Sequence, residues 1–276
     1  MSLLAIPYPH IDPVALQLGP IAIRWYGLAY AAGLILGWLY LKRLIAAARL
    51  WGGGKPVMTA EDIDELLLWM AGGVVLGGRL GHVLFYEPAY YLENPLQIFA
   101  IWRGGMAFHG GFLGSAIALF IFARLKGMAF LSVTDLVVTA VPIGLFFGRM
   151  ANFVNGEIVG TVTDMPWGMV FPGWGDAPRH PAMLYEAALE GIALFLILRY
   201  LTHSKLSLTR AGLTTGVFMV GYALFRIFCE LFKIMDYRQF SPDYPITKGM
   251  VYSLPMLALG LWFIVLARRR QQQAST

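Results

Sequence analysis

The sequence predicts an all-α, polytopic integral membrane protein. It has about seven transmembrane helices, a small extracytoplasmic head and one domain over residues 1–276. Three observations carry this. Hydrophobic residues make up 58% of the chain and charged residues only 13%, about half the charged share of an ordinary soluble domain. The mean hydropathy is +0.64. Several apolar runs also reach the ~20 residues that cross the hydrocarbon core as helix.

Those runs place spans near 20–42, 63–86, 108–124, 135–151, 182–201, 212–233 and 249–267. The third and fourth are short for full crossings and are expected to continue into less regular polar structure. The start, "MSLLAIPYPHIDPVALQLGP", lacks a basic segment and is broken by prolines, so the first span rather than a cleavable signal peptide is expected to direct insertion. No internal repeat, low-complexity tract or linker divides the chain. Cys229 is the single cysteine, which excludes an internal disulfide and a thiolate metal cage. No other cluster has metal-ligand spacing, and no cofactor is expected.

Lys and Arg in alternating loops set the orientation. Twelve lie on one side, in the loops around Lys42–Lys55, Arg124–Lys126 and Arg199–Arg210 and at Arg268–Arg270. Five lie on the other: Arg103, Arg179, Lys233, Arg238 and Lys248. The richer side is expected to be cytoplasmic, with the N-terminus outside and the C-terminus inside. The net charge of +5 then reflects basic loops at an anionic membrane face rather than nucleic-acid binding. Glycines at four-residue spacing (Gly33 and Gly37; Gly73, Gly77 and Gly81; Gly110 and Gly114) predict closely packed helices.

Strongly polar groups within apolar segments are costly to bury alone, so they mark the candidate site. Residues 148–160 read "GRMANFVNGEIVG": Arg149, Asn152 and Asn155 share a helical face, and Gly156 and Gly160 suggest a break. In "YALFRIFCE", Tyr222, Arg226 and Glu230 are four residues apart and line one face. An arginine held by such a glutamate stays charged and keeps donors for an anion. Glu186 and Glu190 are like charges that need separate partners, for which Arg179 or His180 are candidates. His109, between Gly104–Gly105 and Gly110–Gly111, can exchange a proton near neutral pH. Arg149 and Arg226 with a histidine make a phosphate site, since guanidinium presents a planar fork to phosphate. These residues leave two readings open: an enzyme acting on phospholipid, or a transporter of an anionic lipid or metabolite.

Residues Gly148, Arg149, Asn152, Phe153, Asn155, Glu157 and Gly160 resemble the signature of the bacterial prolipoprotein diacylglyceryl transferases. Further blocks, "GPIAIRWYGLAY", "GGRLGHVLFY", "WRGGMAFHGG", "RHPAMLYE" and "YALFRIFCE", follow in that family's order and cover nearly the whole chain. Ala182 and Met183 stand where relatives often carry a polar pair, and the segment after the signature is short.

The resemblance implies transfer of a diacylglyceryl group from phosphatidylglycerol to the lipobox cysteine of a preprolipoprotein at the outer face of the bacterial inner membrane. It implies His109 as the group promoting thiol deprotonation and Tyr26 as its polar neighbour. Arg149, Arg226 and Asn152 are expected to bind the head group, and Tyr222 and Glu230 to orient Arg226. Asn155, Glu157, Gly160 and His180 are expected to support the site. Cys229 is expected only to pack.

Overall fold

The computed structural model describes residues 6–9, 11–234 and 246–275. Arg238, counted above among the outer charges, lies outside the described residues. The chain opens with β1 (Ile6–Pro7), β2 (Val14–Leu18) and β3 (Ile21–Arg24), followed by helices α1 (Trp25–Ala46), α2 (Ala60–Phe85) and α3 (Pro88–Glu93). Then come α4 (Phe108–Leu125), α5 (Phe130–Val138), α6 (Val141–Asn155) and β4 (Met169–Val170). Next, α7 (Ala182–Glu186) runs through a π-helical stretch at Ala187–Ala193 into α8 (Leu194–Ser204), before α9 (Leu213–Glu230) and α10 (Lys248–Ser275).

Helices α1, α2, α9 and α10 are long and apolar enough to cross a membrane, and the pair α5–α6, bent by 41°, makes a fifth candidate. The bend has a local cause. Pro142 at the start of α6 has no N–H to return to the preceding turn, so the helix restarts there. Large apolar side chains such as Leu68, Leu76, Leu113 and Trp262 point outward, as lipid-facing residues do. The chain is a helical membrane protein.

The all-α expectation needs one amendment. Residues 20–24 of the first expected span are not helical. Gly19 turns the chain in the left-handed region, so that β3 returns antiparallel along β2, and α1 begins only at Trp25. β1 pairs parallel with β4, over 160 residues later in the chain. Such short Pro- and Gly-punctuated segments have neither the length nor the uninterrupted N–H series of a helix.

The helix ends are held by specific groups. Thr59 and Asp62 form a reciprocal capping box that starts α2. The buried Asp135 carboxylate accepts hydrogen bonds from the backbone N–H of Gly212 (2.6 Å) and Thr215 (2.7 Å), which satisfies the start of α9. The glycine ridges do bring helices together. A β-carbon on Gly77 would lie 2.7 Å from the α-carbon of Gly114 and would run into the Gly110 carbonyl, so α2 and α4 touch backbone to backbone.

Two apolar cores lie at opposite ends. Leu44, Leu50, Ile63, Phe122 and Leu136 form one, at the N-terminal end of α2. Tyr8, Phe153, Val159, Phe171 and Met183 form the other, beside the end of α6. Phe171 is 1% exposed, and burial of such a side chain contributes about 1.5–3 kcal/mol. The Tyr8 hydroxyl lies 2.6 Å from the Phe153 carbonyl, which ties the first strand to the end of α6.

Candidate active site

Arg149 lies in the last two turns of α6, Glu186 at the end of α7 and Glu190 in the π-helical stretch, while Arg226 and Glu230 lie in the last turns of α9. Lys233 follows shortly after. Packing joins them into one buried cluster. Glu186 is its hub, fully buried, with Arg149 Nε at 3.0 Å, Arg226 Nη1 at 2.5 Å and Lys233 Nζ at 2.6 Å. Glu190, also fully buried, takes Arg149 Nη2 at 3.1 Å. Glu230 takes Arg226 Nη2 and Lys233 Nζ, both at 2.9 Å.

Three cations face three carboxylates, so the cluster is close to neutral as a unit. Neutrality is what allows it to exist in surroundings of low dielectric: each ion loses several kcal/mol of hydration on burial, offset only when partners stand at contact distance. The π-helical stretch widens the helix where Glu190 must reach the cluster, and such stretches often mark functional segments. The adjacent Gly191 admits α6, since a β-carbon there would lie 2.7 Å from that of Phe146.

The cluster is not fully hydrogen-bonded. Arg149 Nε is close to Glu186 Oε2, yet its N–H is not aligned with that oxygen, and neither Nε nor Oε2 completes a hydrogen bond. Geometry rather than separation decides whether the bond exists. Among the described residues, Arg149 Nη1 and Arg226 Nε make no hydrogen bond. Two guanidinium groups therefore meet at one carboxylate with donor capacity in reserve.

The signature segment stands beside this cluster. Asn152 Nδ2 donates to Glu157 Oε2 at 3.1 Å, and Asn155 Nδ2 donates to Glu157 Oε1 at 3.2 Å, so both amides clasp one carboxylate. Gly160 sits where three backbone segments meet. A β-carbon there would lie 2.5 Å from the Phe232 carbonyl and 2.6 Å from that of His180. Tyr26, at the start of α1, has its hydroxyl 3.2 Å from that of Tyr30 and within electrostatic range of Glu157 and Arg149. Tyr222 lies within range of both arginines and stacks on Phe218. Cys229 is fully buried.

His109 lies in the first turn of α4. It is exposed, and its ring packs edge-on against Tyr252 of α10, with centroids 6.3 Å apart. One turn earlier on α10, Gly249 abuts Glu230, where a β-carbon would lie 2.5 Å from the carboxylate. Helix α10 thus touches the histidine through Tyr252 and the cluster through Gly249.

The suggested pairing of Glu186 with Arg179 or His180 is not made. Arg179 donates instead to the carbonyls of Trp174 (3.1 Å) and Gly160 (3.4 Å). His180 Nδ1 meets the Tyr185 hydroxyl at 2.9 Å, and Trp167 Nε1 donates to that hydroxyl at 2.8 Å. Burial holds the His180 pKa below its ordinary value. Sequence reasoning missed Lys233, which was counted as an outer-loop charge, and did not bring Glu186 and Glu190 to the arginines. Their four-residue spacing in an apolar helix was the available signal; which cations answered it depends on how α6 and α9 pack.

A helical membrane protein with a buried ionic cluster at one end of its bundle is the class that fold and site define. The family model for prolipoprotein diacylglyceryl transferase matches residues 13–266, and the chain belongs to that family. It is 51% identical over 265 residues to the phosphatidylglycerol–prolipoprotein diacylglyceryl transferase of Rhizobium meliloti, covering 95% of this chain and 94% of the relative. It is 52% identical to the protein of the same name from Paramagnetospirillum magneticum, covering 98% and 99%.

Proposed function

We propose that this chain transfers the diacylglyceryl group of phosphatidylglycerol to the lipobox cysteine of preprolipoproteins, the first step of bacterial lipoprotein maturation. The observation that carries this reading is the meeting of Arg149 and Arg226, from separate helices, at the single carboxylate of Glu186. In the reaction the cysteine sulfur attacks the glycerol carbon that bears the phosphate ester. The C–S bond forms, the C–O bond breaks and glycerol phosphate leaves with the bonding electrons. No enzyme nucleophile is needed, which agrees with the burial of Cys229.

Free thiols are mostly protonated at neutral pH, so a base accelerates the attack. His109, exposed at the rim of the cluster, takes this role, and Tyr26 supplies a polar neighbour. Arg149 and Arg226 grip the phosphate through their uncommitted N–H groups and stabilise charge on the leaving oxygen. Asn152 contributes to head-group binding. Glu230 and Tyr222 hold Arg226, while Asn155, Glu157, Gly160 and His180 hold the segment after Arg149. The full topology is seven spans in the bacterial inner membrane, with the N-terminus outside, the C-terminus cytoplasmic and residues 156–181 forming the core of a small outer head.

The test is direct. Purified protein, phosphatidylglycerol vesicles and a lipobox peptide give a peptide heavier by one diacylglyceryl group. Uptake of the lipid or of glycerol phosphate into vesicles without that mass gain would establish the transporter reading instead.

A further inference from the structure

At the far end of α9 from Arg226, about 20 Å away at 1.5 Å per residue, helices α8, α9 and α10 enclose a cleft unrelated to the ionic cluster. Two cavities, of about 220 and 520 Å³, share Lys205, Arg210, Ala267 and Gln271 as walls and are therefore two parts of one space. The smaller part is lined by the apolar Leu201, Leu213, Val217 and Ile264 together with Arg268. The larger part opens among Arg210, Thr209 and Arg270.

Acids at this end are committed to other cations or to the main chain. Lys42 is paired with Asp64 (2.8 Å), and Lys126 with Asp62 (3.1 Å) and Glu65 (2.5 Å). The lack of acids around these four cations is visible already in the sequence, because segments 199–213 and 264–276 contain no Asp or Glu. Among the described residues no carboxylate pairs with Lys205, Arg210, Arg268 or Arg270. The nearby Asp135 is committed to the N–H groups of Gly212 and Thr215.

Arg210 is also pre-oriented, with Nη2 on the Lys205 carbonyl at 2.5 Å and Nη1 on Gln271 Oε1 at 3.3 Å. Such local bonds fix the direction of the guanidinium without neutralising it.

We infer that this cleft binds one anionic phospholipid, its phosphate held by Lys205, Arg210, Arg268 and Arg270 and an acyl chain laid against Leu213, Val217 and Ile264. An apolar slot that opens onto unpaired cations fits a lipid better than a free anion, which would leave the slot empty. Basic pockets between membrane helices take acidic head groups for the same reason. The site rests on the membrane placement of the helices and not on the transferase reading.

The test uses delipidated full-length protein in a neutral detergent. It is titrated with phosphatidylserine, phosphatidylcholine or inorganic phosphate, with bound lipid counted by native mass spectrometry. A photoreactive phosphatidylserine locates the contact by peptide mapping. Phosphatidylserine is expected to bind and to label segments 199–213 and 264–271. In Lys205→Gln/Arg210→Gln, affinity is expected to fall roughly tenfold or more, from the loss of two cations near a phosphate. Lys205→Arg/Arg210→Lys is expected to retain binding, and the unchanged thermal unfolding of both variants controls for folding. Equal binding of phosphatidylcholine, displacement of the lipid by inorganic phosphate at comparable concentration, labelling confined to other segments, or undiminished binding in the Gln variant would each overturn the inference.

Discussion

Arg79 and Arg149 both project from apolar helices into buried surroundings, and their charges are met in different ways. Arg79 is 5% exposed and donates to main-chain carbonyls: Ile98 at 2.8 Å, Gly104 at 2.6 Å, Gly105 at 3.1 Å and Gln97 at 2.5 Å, with the Tyr91 ring 5.1 Å away. Nε and both terminal nitrogens are engaged, and each acceptor belongs to the segment leading to His109. Arg149 instead faces the carboxylates of Glu186 and Glu190 and keeps a terminal nitrogen without a partner among the described residues. An arginine saturated by carbonyls is a clamp on its own chain. An arginine neutralised by carboxylates yet incompletely hydrogen-bonded is tolerable in the bundle and keeps donors free, which is what the phosphate role proposed for Arg149 requires.

Substituting each arginine breaks the comparison most sharply. Arg149→Ala should reduce diacylglyceryl transfer by roughly 10³-fold, the size of loss expected when a donor to developing charge is removed. Arg79→Ala should cost far less transfer but make residues 95–105 more sensitive to limited proteolysis. Equal losses of activity would count against placing Arg149 on the phosphate.

The hub comes next. Glu186→Ala leaves three buried cations facing two carboxylates and should destabilise the protein by about 3–5 kcal/mol, read as a lowered thermal midpoint in detergent. Glu157→Ala, which removes an exposed acceptor of two asparagine amides, should change that midpoint much less. Comparable shifts would show that Glu186 is not the hub.

His109→Gln tests the base proposed at the end of the segment that Arg79 clamps. The amide keeps hydrogen-bonding capacity but cannot take a proton, and transfer should fall about 10²-fold. Undiminished turnover across the pH range would remove His109 as the base.

A smaller effect is expected at Gly160→Ala. The added methyl would press on the Phe232 and His180 carbonyls, and such overpacking typically costs about 1–3 kcal/mol. An unchanged unfolding midpoint would show that these backbones can separate at no cost.

The smallest expected effect is on pH dependence. Burial lowers the His180 pKa in the folded protein, so below the unfolded value near 6.5 the unfolded chain binds more protons than the folded one. This contribution to stability is present above about pH 6.5 and declines as pH falls toward the lowered folded value. His180→Phe should flatten that part of the profile. An unaltered slope between pH 7 and 5 would assign the acid sensitivity elsewhere.

Composition and apolar run length already determined that this chain is a helical membrane protein. The glycine spacing foretold the close contact of α2 with α4, because one-dimensional periodicity maps directly onto a helix face. Arg149, Arg226 and Glu230 were visible for the same reason: an ionisable side chain in an apolar helix must have a partner, and a four-residue spacing supplies one locally. The identity of more distant partners was not written there. Glu186 could have answered several cations, and only the crossing of α6 and α9 beside α7 chose Arg149 and Arg226 and added Lys233. The hairpin at 14–24 and the pairing of β1 with β4 were likewise settled by contacts between segments far apart in the chain or too short to show a period. Local pattern determines which faces must be buried; the order in which helices pack determines which charges meet.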